Sequence, residues 1–340
     1  MPPPAHLAGR NQYAPLIGHT TIRPIRPAVK SIENILDLAP AGGFDRSMLT
    51  GTYTALVTPF RKGQVDFDAL RRLIGRQIRA GVDGIVPVGT TGESPTLSYE
   101  EHIEVIARSV EFAAGKIKVM AGSGGNSTRE AIYLTVEAEK AGADSSLQVA
   151  PYYNRPTQEG LFQHFLEISR ATKLPVILYN VPSRCGVEIA VETVRRLAAL
   201  TPRLAGIKEA GGNPDRVSQL RAALGGRFSI FSGDDSLTVP FMALGAHGVI
   251  SVASNIIPRQ VAQMVRACAR GDFAAALKLY DRYYPVFKDL FIETNPVPVK
   301  AAAAMLGQMA EEYRLPLTPL SEKNRASLKA SLMHCGILKP

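Results

Sequence analysis

Two hydrophobic patterns alternate along most of this chain. Short, continuous apolar runs with many β-branched residues are separated by longer stretches whose apolar positions recur every three or four residues. The runs are Tyr53–Val57, Gly84–Val88, Ile117–Ala121, Ser146–Ala150, Pro175–Tyr179, Leu204–Lys208, Phe228–Phe231 and Gly248–Val252. Continuous runs of this length predict strands buried on both faces. The stretches between them predict amphipathic helices with clear stops. Asp66–Ala80 carries Phe67, Leu70, Ile74 and Ile78 on one face and stops at Gly81. Ser98–Ala114 and Ser127–Ala141 each open with a capping box, Ser98 with Glu101 and Ser127 with Glu130, and stop at Gly115 and Gly142. Pro258–Arg270 begins with proline at a helix start and stops at Gly271.

Strand-helix units repeated over about 220 residues predict an α/β fold, a (β/α)8 TIM barrel. A doubly wound open sheet is the alternative, but the first run leads into Thr58-Pro59-Phe60 rather than a glycine-rich nucleotide fingerprint. Beyond residue 271 only helical patterns remain, at Phe273–Leu290, Pro296–Leu306 and Glu322–Leu332. The expected organisation is a barrel over 48–271 with a C-terminal helical region over 272–340. Residues 1–47 stand apart. They are rich in proline and arginine, with Glu33, Asp37 and Asp45 as their acids, and are expected to be a mobile, dispensable extension, either upstream of a true start at Met48 or a loose leader.

Composition narrows the function classes. The formal charge is +9, but the basic residues are dispersed. Their densest group, Arg71, Arg72, Arg76 and Arg79, lies on one predicted helix and reads as a solvated face. Nucleic-acid binding is therefore not expected, although a positive field favours anionic substrates. No apolar run approaches the roughly 18 residues of a membrane span, and no secretory core opens the chain, so a cytoplasmic protein is expected. Three scattered cysteines and six histidines without ligand spacing give no metal site, and no cofactor is expected.

A barrel carries its chemistry at the C-terminal ends of its strands. Lys208 closes the apolar run Leu204-Ala205-Gly206-Ile207, which places an ammonium at the barrel mouth among apolar walls. Desolvation lowers the pKa of such a lysine and makes it a carbonyl nucleophile. The other reading is a lysine snorkelling from a strand end or paired with Glu209. Thr90 and Thr91, between two glycines, offer hydroxyls and N–H groups to a small carboxylate or form an ordinary turn. Tyr179 ends the strand beside that of Lys208 and either moves protons or fills the core. Arg184 either clamps a carboxylate or makes a surface ion pair. Gly122-Ser123-Gly124-Gly125 reads as a tight βα turn more readily than as a phosphate cradle, and Cys185 as inert.

Six segments in order give a resemblance: GTTGES at 89–94, PYYNRPTQEGLFQHF at 151–165, LYNVPSRCG at 178–186, GIKEA at 206–210, SGDD at 232–235 and GVISVASN at 248–255. From about Leu49 to Leu338 the chain resembles the dihydrodipicolinate synthase family. The resemblance implies that pyruvate forms an imine with Lys208, that the derived enamine attacks L-aspartate 4-semialdehyde, and that 4-hydroxy-tetrahydrodipicolinate is released toward diaminopimelate and lysine. It further implies a proton relay of Tyr179, Thr91 and Tyr153, the last lent by a neighbouring subunit of a homotetramer built as a dimer of dimers. Thr90 and Thr91 would hold the pyruvate carboxylate, Arg184 that of the semialdehyde, and Gly233 and the Ile250 carbonyl would shape the pocket. An L-lysine effector site would comprise Ser94, Pro95, Tyr99, His102, Asn126, Glu130 and Tyr152. Tyr99 departs from the histidine that many inhibited members carry there. N-acetylneuraminate lyase and keto-deoxy sugar acid aldolases share the lysine and the strand tyrosine, and are the alternative.

Overall fold

The computed structural model describes residues 48–226 and 228–339; the extension expected over 1–47 lies outside them. Eight parallel strands close into a barrel: β1 Gly51–Ala55, β2 Gly84–Val86, β3 Lys118–Gly122, β4 Ser145–Val149, β5 Val176–Asn180, β6 Leu204–Glu209, β7 Ser229–Ser232 and β8 Gly248–Ser251. Each pairs with its neighbours in chain order, and β8 closes on β1 with Tyr53 opposite Ile250. The fold is the (β/α)8 barrel that the apolar runs predict.

Eight helices alternate with the strands: α1 Phe67–Ala80, α2 Tyr99–Ala113, α3 Thr128–Lys140, α4 Gln158–Ala171, α5 Val191–Leu200, α6 Asp215–Leu224, α7 Thr238–Ala243 and α8 Pro258–Ala269. Their starts follow from local chemistry. Asp66 and Thr157 cap α1 and α4 by accepting from the N–H of Ala69 and Gly160. Ser98 and Glu101 form the full reciprocal capping box. At α3 only half of the expected box forms. Ser127 accepts from the Glu130 N–H, whereas the Glu130 carboxylate does not return to its cap and lies toward the Tyr99 phenol. The tertiary partner wins because α2 and α3 are packed side by side.

The strand interior shows why small residues recur in it. A Cβ on Gly84 would fall 2.4 Å from the Tyr53 ring. Glycine there lets the ring fill the barrel base, where it meets Phe231 edge-on at 5.4 Å between centroids.

One feature escapes the apolar pattern. Phe60–Arg61 and Gln64–Val65 form a short antiparallel hairpin over the barrel mouth, turning through Lys62 and Gly63, both at positive φ. Beyond the barrel lie α9 Phe273–Asp289, α10 Val297–Met305 and α11 Glu322–His334. Arg314, after α10, reaches back to the Glu101 carboxylate with two N–H groups at 2.6 Å and to the Gly63 carbonyl at 2.8 Å. The C-terminal helices thereby pack at the same end as the strand termini. Among the described residues, no helix is long and apolar enough to cross a membrane.

Candidate active site

The register of β5 and β6 sets Tyr179 opposite Lys208 and Asn180 opposite Glu209. Side chains alternate along strands, so the first pair faces one way and the second the other. On one side Lys208, only 5% exposed, holds its Nζ 4.1 Å from the centre of the Tyr179 ring. On the other, the buried Glu209 carboxylate accepts from Asn180 Nδ2 at 2.9 and 3.0 Å, from the Gly211 N–H at 2.7 Å and from Arg216 Nε at 3.2 Å. Glu209 is thus committed to Asn180 and Arg216, and the alternative that it pairs with Lys208 falls.

Burial pushes the Lys208 ammonium down to about 7; the Asp235 carboxylate opposes that shift and the Arg184 guanidinium adds to it. Burial raises the Tyr179 phenol to about 12 against the pull of Arg184 and of a hydrogen bond with Thr90. Asp235 lies fully buried, accepting from the Ser251 hydroxyl and from the N–H groups of Val252 and Ala253 at 3.0 and 2.9 Å. Desolvation raises its carboxyl to about 6. Gly233 packs on the lysine stem, where a Cβ would sit 3.1 Å from Lys208 Cε and 2.7 Å from Ala210 Cβ. A Cβ there would press on the lysine stem.

Beside Tyr179 opens a cleft of about 230 Å³ with mainly apolar walls, lined among others by Val88, Thr90, Tyr152, Tyr179 and Arg184; the buried Lys208 is not on its lining. Thr90 and Thr91 lie on a single 3-10 turn, Thr90–Gly92, and diverge in role. The hydroxyl that meets the Tyr179 phenol belongs to Thr90. Thr91, expected in the proton relay, is 4% exposed, and its Oγ1 accepts from Asn295 Nδ2 at 3.0 Å. Arg184 stands on a one-turn helix, Pro182–Cys185, and donates from Nη2 to the Asn295 carbonyl at 3.1 Å. Asn295, absent from the sequence reading, therefore ties both groups. Nothing local marks it, because its partners lie 204 and 111 residues away.

Other expected residues divide. Tyr153 is 92% exposed with φ 72°, so its own chain does not bring it to Lys208. The Ile250 side chain is wholly buried in β8, on the strand next to that of Gly233's run. Cys185 is buried with its thiol directed at the Ala150 carbonyl, and burial raises it to about 11. Gly122 and Gly124 are a packing requirement, since a Cβ on either would strike backbone within 2.7 Å.

The expected effector residues form one neighbourhood beside the cleft. Ser94 and Tyr152 line the cleft itself. Tyr99, half exposed, bonds Glu130 and meets Tyr133 edge-on at 6.0 Å. Asn126 Nδ2 donates to the Tyr152 carbonyl at 3.2 Å. His102 stands against the cleft lining: it is 5% exposed, its Nε2 bonds the carbonyl of Gly122, which lines the cleft, at 2.9 Å, and burial lowers it to about 4.

Comparison with known proteins now bears on this geometry. A sequence model of the dihydrodipicolinate synthetase family matches residues 48–335. The 4-hydroxy-tetrahydrodipicolinate synthase of Aquifex aeolicus is 50% identical over 84% of this chain and 97% of its own. The structure of the 4-hydroxy-tetrahydrodipicolinate synthase of Methylacidiphilum fumariolicum superposes with a TM-score of 0.84 at 58% identity, covering 85% of this chain and 96% of that one. A dihydrodipicolinate synthase structure from Cyanidioschyzon merolae with lysine bound superposes with a TM-score of 0.83 at 39% identity, over 85% of this chain and 99% of that one. With the barrel, the buried lysine and the matched span in agreement, the chain belongs to the dihydrodipicolinate synthetase family.

Proposed function

We propose that this enzyme condenses pyruvate with L-aspartate 4-semialdehyde through an imine on Lys208, giving 4-hydroxy-tetrahydrodipicolinate. The observation that carries the mechanism is the buried Lys208 ammonium stacked on Tyr179 and lowered to about 7. A lysine so tuned has a free amine at neutral pH. That amine attacks the pyruvate ketone, and the carbinolamine loses water to leave the imine. Loss of a methyl proton gives the enamine, whose carbon attacks the aldehyde. The amino group of the semialdehyde then adds to the imine carbon and displaces the Lys208 amine as the ring closes.

The geometry supports specific roles. Tyr179, hydrogen-bonded to Thr90, is the proton carrier nearest the imine. We place Thr90 in the relay and leave Thr91, anchored by Asn295, to hold the pyruvate carboxylate with the N–H groups of the same turn. Arg184 at the cleft mouth receives the carboxylate of the semialdehyde. Gly233 and Ile250 shape the wall around the lysine. Tyr153, projecting from the surface at positive φ, serves the site of a neighbouring copy in a tetramer of two tight dimers. L-Lysine is the effector at the Tyr99–Glu130 neighbourhood, a reading supported by the lysine-bound relative. Unpaired buried Cys185, Cys268 and Cys335 support a reducing cytosol. The deciding experiment follows pyruvate-dependent loss of aspartate semialdehyde, with sialic acid and keto-deoxy sugar acids as competing substrates. Faster turnover of a sugar acid would transfer the chain to the aldolase reading.

A further inference from the structure

Two residues beyond Thr91, the same turn carries Glu93 in a left-handed conformation, φ 55° and ψ 37°. Its side chain is completely shielded from solvent, as is that of Lys300 on α10. The two meet in a direct ion pair across 207 residues of sequence. The second carboxylate oxygen accepts from the Arg314 N–H at 3.2 Å. The Lys300 ammonium also lies 4.2 Å from the centre of the Phe60 ring. Five residues before Lys300, Asn295 holds the Thr91 hydroxyl. One short segment thus grips the turn at two points, Asn295 on Thr91 and Lys300 on Glu93.

A buried carboxylate without its cation is strongly disfavoured and seeks water. Here the carboxylate hangs from the residue that ends the turn carrying Thr90 and Thr91, so a shift toward water pulls on that turn. We infer that Lys300 is a positioning residue of the active site: through Glu93 it fixes the threonine turn that receives the pyruvate carboxylate. The inference rests on the carboxylate role assigned to that turn. It makes the C-terminal helices part of the substrate site, although Lys300 touches neither substrate nor Lys208.

The test compares the wild-type enzyme with Lys300→Met and with the double variant Glu93→Gln/Lys300→Met. Pyruvate KM, semialdehyde KM, kcat and borohydride-trapped Lys208 adduct are measured with melting temperature. The single variant strands a buried charge and should melt lower; removing both charges should recover most of that loss. The expected result is a pyruvate KM raised by about ten- to a hundredfold in the double variant, from a turn misplaced by a fraction of an ångström. Semialdehyde KM should stay near wild type, and adduct should form fully once pyruvate saturates. A folded double variant with wild-type pyruvate KM overturns the inference, as does an equal rise in both Michaelis constants. If the single variant does not fold, the double variant decides alone. Failure of the wild-type protein to trap pyruvate would instead overturn the functional reading and this inference with it.

Discussion

The Lys208 ammonium rests 4.1 Å above the centre of the Tyr179 ring, on adjacent strands that put the two residues directly opposite each other. The ring face stabilises a cation while burial opposes it. Burial wins, and the amine is lowered to about 7. The same apolar surroundings keep the phenol protonated and able to donate.

Lys208→Ala should abolish both the borohydride-trapped pyruvate adduct and turnover, with circular dichroism unchanged because the side chain ends at the barrel mouth. Lys208→Arg should fail equally, since a guanidinium stays protonated and cannot attack a carbonyl. Mass spectrometry of the reduced adduct reads both; turnover in either variant would remove the imine from the mechanism.

Imine formation should depend on pH through Lys208. Its folded pKa is depressed, so the free amine dominates above about pH 7 and is lost below it. Adduct formation at subsaturating pyruvate should therefore fall by about tenfold per pH unit below that point and level off above it. A rate still climbing at pH 9 would mean that the lysine titrates normally. The charged neighbours acting on it are Asp235 and Arg184, so Asp235→Asn should move the midpoint further down.

Arg184→Ala should raise the semialdehyde KM far more than the pyruvate KM. A charge-assisted carboxylate contact contributes about 1.5–3 kcal/mol, on the order of ten- to a hundredfold. Steady-state kinetics with each substrate varied in turn give the answer, and equal effects would assign Arg184 to general structure.

Tyr153→Phe should slow turnover while leaving pyruvate trapping nearly intact. Its 92% exposure in a single chain leads to a sharper expectation. Mixed oligomers of Tyr153→Phe and Lys208→Ala chains should recover part of the activity that neither has alone, because one kind of site then holds both a tyrosine and a lysine. No recovery in verified hetero-oligomers would confine Tyr153 to its own chain.

L-Lysine at millimolar concentration should inhibit, and Glu130→Ala should relieve it. In the free chain the Glu130 carboxylate acts on the Tyr99 phenol, so the effector's ammonium competes with that phenol for it. Tyr99→Phe, which removes the competing donor, should tighten inhibition. Inhibition that survives Glu130→Ala would place the effector elsewhere.

The sequence by itself determined the barrel and singled out Lys208 at the end of one of its runs. Strand and helix are written in local periods and caps, and the apolar run puts Lys208 near the C-terminal end of its strand. Even where a local signal was present, its outcome depended on neighbours: Ser98 and Glu101 closed their box, whereas Glu130 was drawn away to Tyr99. Tertiary structure alone paired Thr90 with Tyr179 and Thr91 with Asn295, because two adjacent hydroxyls on one turn are indistinguishable until their partners approach. It alone placed Asn295 and Lys300 at the site, across separations of 204 and 207 residues that no periodicity reports. The physical reason is one of range. Backbone conformation answers to neighbours within a turn or two, whereas the partner of a buried polar group is whatever the closed barrel brings within hydrogen-bonding distance.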